Sequence, residues 1–156
     1  MRSAWARTRH LARRLREEDA GSAVVEFVTV ALVLLVPLVY LILTFFLIQG
    51  AAFAAEGAAR EAGRILAASG GRPGAQEAAR TATRLAFEDF GLGADASLSF
   101  ECEATPCATP GARIHVTVTS RVALPLISTG VAHAAGAVVP IEGRAVVVVD
   151  RFRQAP

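Results

Sequence analysis

The pattern of apolar and polar positions changes period twice along the chain. From Phe27 to Ile48 there are 22 consecutive residues without a charge. A helix of that length covers about 33 Å, enough for a hydrocarbon core of about 30 Å. A buried core helix is the competing reading, but such helices are seldom apolar on every face over this length. Pro37, mid-span, predicts a kink of the kind that membrane helices tolerate. From Gln49 to Ser69 the pattern becomes an Ala-rich helix in which Ala54, Ala58, Ala62 and Leu66 recur every fourth residue. Small residues at that spacing permit close helix approach, although alanine is also simply a strong helix former. The cluster Gly70-Gly71-Arg72-Pro73-Gly74 ends this helix.

A second helix is predicted over Ala75 to Phe90, closing at Gly91, with Ala78, Ala82, Leu85, Ala86 and Phe90 on its apolar face. Glu77 is placed to pair with Arg80 on the wet face. Thereafter the period falls to two. Leu98, Phe100 and Cys102 alternate with polar neighbours, as do Ile114, Val116, Val118 and Val122. Val139 to Val149 is rich in β-branched residues, with Glu142, Arg144 and Asp150 on one side. Three strands, most simply antiparallel, follow from this alternation. Residues 124–138 fit no period and are expected to form a partly buried or membrane-apposed loop. The fold class is therefore α+β: a transmembrane helix continuing into an Ala-rich helix, a second helix, and a small three-stranded sheet. The domains expected are a leader, 1–21, a transmembrane helix, 22–48, and an extracytoplasmic domain, 49–156.

Charge gives this layout a direction. Arg2, Arg7, Arg9, Arg13, Arg14 and Arg16 are six of the sixteen basic residues, all within the first 21 positions. Beyond the span, Glu56, Arg60, Glu61 and Arg64 nearly balance. The positive-inside rule places the N-terminus in the cytoplasm and the residues after about 50 outside. Residues 22–156 carry a formal charge of −1, so a basic head precedes a near-neutral body. That distribution argues against a nucleic-acid binder, which spreads its cations over a folded surface. Ala52-Phe53-Ala54 resembles a signal-peptidase site, but the apolar run before it is long and the head extended.

The junction of head and span carries the most specific signal. Glu26 is an ionisable residue at the edge of an apolar helix, where it is either interfacial or functional. It follows Asp19-Ala20-Gly21-Ser22-Ala23-Val24-Val25 and precedes Phe27. This junction resembles the processing site of type IV prepilins and pseudopilins, and more particularly the TadE-like pseudopilins of tight-adherence (Flp-type) pilus systems. The motif is confined to residues 19–37, while the succession of helix, Ala-rich continuation, β-rich region and short Cys-containing loop agrees over most of the chain. The resemblance implies cleavage by a prepilin peptidase after Gly21, freeing Ser22. It also implies that Glu26 pairs with the new α-amino group of a neighbouring subunit, setting the stagger between helices. Glu26-Phe27 and the long tail fit a minor pilin, whereas major Flp pilins are shorter and often carry Glu-Tyr. Ser22 stands where mature type IV pilins often have phenylalanine. The implied partners are the peptidase, other pilins or pseudopilins and an inner-membrane assembly platform driven by a cytoplasmic ATPase.

The cysteines, Cys102 and Cys107, enclose four residues. For a domain outside the cytoplasm a disulfide is the leading reading and free thiols the alternative. Only His115 and His133 lie on the same side, too few ligands for a zinc site. No nucleophile-base set, phosphate loop or metal triad is apparent, so neither an enzyme nor a cofactor or small-molecule substrate is expected. The other class of function left open is a membrane-anchored or secreted binding or adhesion module without processing at Gly21.

Overall fold

The computed structural model describes residues 2–92 and 95–152, with the side chains of residues 2–21 and of Thr129 outside the description. The leader's arginines thus lie outside the described side chains. The elements are α1 (Arg2–Ser69), α2 (Ala75–Glu88), β1 (Ser97–Cys102), β2 (Arg113–Ala123), α3 (Thr129–Ala134) and β3 (Val138–Val148). The architecture is α+β, with one antiparallel sheet in the order β1-β2-β3. The chain divides into two compact units, Met1–Ile42 and Leu43–Pro156.

The first unit is a run of α1. From Ser22 onward it is apolar and almost wholly exposed, with Phe27 at 73% and Val33, Leu34 and Val36 similar. Pro37 lies inside the helix, so the Val33 carbonyl loses its amide donor. Earlier in the same run, Thr29 donates its hydroxyl back to the Val25 carbonyl at 2.7 Å. The helix from Ser22 onward is long and apolar enough to cross a membrane.

In the second unit the same helix has a different surface. Ala51, Ala54, Ala55, Ala58, Ala59, Ala62 and Leu66 are buried, and Leu47 and Ile48 pack partly against them. Their partner is the inner face of the sheet: Leu98 of β1, Ile114, Val116, Val118 and Val122 of β2, and Ile141 of β3. The recurring alanines therefore serve the chain's own sheet. Small side chains let α1 lie very close. A methyl group on Gly143 of β3 would overlap the carbonyl of Ala55 and stand 2.6 Å from the amide nitrogen of Glu56. One on Gly63 would stand 2.6 Å from a Val147 methyl. A glycine ordinarily weakens a strand, and here it is needed for backbone approach.

Four expectations are corrected. The buried face of α2 is Ala79, Thr83 and Phe87; of the expected face, Ala82 and Ala86 are half-buried, whereas Ala78, Leu85 and Phe90 are exposed. Thr83 can be buried because its hydroxyl bonds the Ala79 carbonyl at 2.9 Å. The helix stops at Glu88, because the Leu92 amide turns back to the Phe87 carbonyl at 3.0 Å. The described ion pair on α2 joins Arg84 to Glu88, at 3.2 Å, rather than Glu77 to Arg80. Residues 124–138 are not simply a loop, since they contain α3 and the first residue of β3. At the other end, α1 closes where Gly70 adopts a φ of 65°.

Candidate functional site

Gly21, Ser22, Glu26 and Phe27 all lie within the continuous helix α1. Ser22, Glu26 and Phe27 are exposed. At about 100° per residue, Ser22, Glu26, Thr29 and Tyr40 fall within an arc of roughly 60°. Val24, Val25, Phe27 and Val28 occupy the rest of the circumference there. Val33 falls in the same arc between Thr29 and Tyr40, so these polar positions are separate and form no continuous stripe. Thr29 and Tyr40 were not singled out in the sequence, although a helical wheel through Glu26 finds them. Gly21 lies in helical backbone, where glycine is less favourable than alanine by about 1 kcal/mol.

Cys102 and Cys107 do come together. Their Cα atoms are 5.2 Å apart and their sulfurs lie at bonding distance, closing the start of the β1–β2 connection. This loop is far from Glu26 in sequence and belongs to the other unit. Beside it, Glu103 reaches Arg113 at 3.7 Å and His115 at 3.6 Å, on the outer face of the sheet. These contacts are solvent-exposed and hold the loop to the start of β2. On α1, Arg64 donates two hydrogen bonds to Glu61, at 2.6 and 2.9 Å. That guanidinium holds the Glu61 carboxyl below the usual carboxylate range.

An open hollow of about 660 Å³ lies where β1 begins and where the β2–β3 connection leaves the sheet. Asp95, Arg121, His133 and Glu142 bring both signs of charge to its wall, with Ser97 and Thr119 between them. A smaller adjoining hollow shares Asp95, Arg121 and His133 and is floored by Leu47. Sequence reading passed over this site because its residues come from four separate segments. Among the described residues no group of three or more His, Cys, Asp or Glu is placed to hold a metal ion.

No protein-family model, no curated protein and no solved structure matches this chain.

Proposed function

We infer that this chain is a TadE-like minor pilin or pseudopilin that takes part in assembling an Flp-type pilus. The observation that carries the reading is the junction: Gly21-Ser22, then Glu26-Phe27, at the start of an apolar helix exposed on nearly every side. Such a surface requires lipid or other helices around it. A carboxylate at its edge requires a cationic partner, because an unpaired charge there is costly. Cleavage after Gly21 would create that cation as the α-amino group of Ser22. The amine of one subunit then meets Glu26 of the next. In this arrangement the leader stays in the cytoplasm and the domain beyond the span is extracytoplasmic, where a Cys102–Cys107 disulfide persists. A prepilin peptidase, other pilins and the membrane assembly platform are the partners. The role is structural, and Glu26 acts in packing rather than in catalysis.

Replacing Glu26 tests the pairing. Glu26→Ala is expected to reach the membrane at normal levels while pilus number falls about tenfold or more, the scale of a broken buried ion pair. Piliation counted by electron microscopy reads the effect. Normal piliation by the variant rejects the pairing role.

A further inference from the structure

The second unit contains its own ruler for where a bilayer surface would fall. Gly143 lies against Ala55 and Val147 against Gly63. Four strand residues advance about 13 Å and eight helical residues about 12 Å, so β3 and α1 rise together. Going back from Gly143 to Val138, where β3 begins, covers about 17 Å, or roughly eleven helical residues. Val138 and its partner Ala123 are therefore level with about residue 44 of α1, within the last turns of the apolar stretch. Leu47 corroborates this, since it shares the floor of one hollow with Arg121 and His133. The ring of Phe90 would likewise touch a methyl group on Gly50, at 3.4 Å.

The β2–β3 connection, residues 124–137, leaves the sheet at that level, and its helix α3 packs back against β2. It is closed at its base by the Leu124 amide bonding the Ala137 carbonyl at 3.2 Å. It contains no Asp, Glu, Lys or Arg, and His133 is its only ionisable side chain. Leu126 is 86% exposed and Val131 59% exposed. A connection at the surface of a water-soluble domain is ordinarily polar, whereas this one exposes two large apolar side chains and carries no Asp, Glu, Lys or Arg.

We propose that the β2–β3 connection docks on the bilayer surface, with Leu126 and Val131 entering the interfacial layer and the hollow above them holding a phosphoethanolamine head group. Arg121 and His133 supply donors for the phosphodiester oxygens. Asp95 and Glu142, on the same wall, accept from the primary ammonium, with Glu142 also bonded to Arg144. A head group with both an anion and an N–H-bearing cation answers both signs in the hollow. Phosphocholine lacks the N–H, and phosphoglycerol lacks the cation. The surface thereby gives the second unit a lipid contact besides α1. This inference needs α1 to span a bilayer and does not depend on cleavage at Gly21 or on any pilus.

The test uses the full chain, in a Trp5→Phe background, reconstituted into bilayers containing brominated phospholipids. Single tryptophans at Leu126→Trp, Val131→Trp and Val148→Trp report contact with the lipid. Val148 is the control, at the far end of β3 and 49% exposed. Retained near-ultraviolet circular dichroism establishes that each variant is folded. In phosphoethanolamine bilayers the first two are expected to be quenched and the third not. Replacing the head group with phosphocholine, or adding Arg121→Gln, is expected to lower the docked-to-undocked ratio by roughly fivefold. Unquenched Leu126→Trp and Val131→Trp, or quenching of all three, overturns the docking surface. Quenching of the first two that ignores both the head group and Arg121→Gln overturns the head-group site. Processing at Gly21 is read separately, from chain mass, so neither result bears on the other proposal.

Discussion

Two stretches of one helix differ in what surrounds their apolar side chains. From Ser22 to Phe46, α1 carries large residues that are mostly exposed, among them Phe27, Leu34 and Phe46. From Ala51 to Leu66 it carries small residues that are buried against the sheet. Both are hydrophobic by composition, but they solve different problems. Large side chains on every face suit a surrounding that is itself apolar, where packing has no fixed partner. Small side chains on one face suit a fixed partner and close approach, where every methyl group has an assigned place. Apolar content alone does not distinguish the two. Side-chain size and its one-sidedness do.

The sharpest way to break this contrast is to add a methyl group where none fits. Gly143→Ala would gain strand propensity in isolation, but its Cβ meets the backbone of α1 at Ala55, which has no rotamer to change. The expected loss is about 3 kcal/mol of unfolding free energy, the upper end of the usual cost of overpacking. Gly63→Ala meets the side chain of Val147 instead, and helix propensity offsets part of the clash, so about 1 kcal/mol is expected. Denaturant titrations of the two variants should keep that order. Equal losses would mean that the helix and sheet are less tightly apposed than described.

A matched pair of substitutions sharpens the comparison. Ala58→Leu places a large side chain in the buried stretch and is expected to cost about 2 kcal/mol. Ala23→Leu makes the same chemical change in the exposed stretch and should leave the unfolding of the second unit unmoved. A thermal melt followed through the sheet signal reads both. The smallest effect concerns Glu61. Its carboxyl is held low in the folded chain, so it contributes stability above its unfolded pKa and loses it as pH falls through the lower folded value. Glu61→Gln should therefore flatten the acid side of the stability profile slightly. The pair is exposed, so its contribution is small and weakens further with salt.

Much of this fold was legible because each residue's local pattern matched its final environment. The period-two alternation of Ile114, Val116 and Val118 picks the same inner face that the sheet presents to α1. The apolar stretch and the glycine cluster after Ser69 are equally local signals. The buried face of α2 is not legible in the sequence, because alanines lie all around the helix and give little contrast. Its buried marker, Thr83, is polar and becomes acceptable only through a bond to Ala79. Gly143 looks like a flaw in a β-branched run until Ala55 is seen against it. The hollow around Arg121 was invisible for the same reason, since its walls meet only after folding. The junction at Gly21 to Phe27 is the reverse case. It is distinct in sequence, and in the chain by itself it is an exposed stretch of helix whose meaning lies in what it would contact.

Intact mass of the protein recovered from membranes of a host carrying a prepilin peptidase tests the central claim most directly. The account predicts a chain that begins at Ser22 and an uncut chain when the peptidase is absent. Retention of residues 1–21 in both hosts, or a start near Ala55 that removes the span, would contradict it.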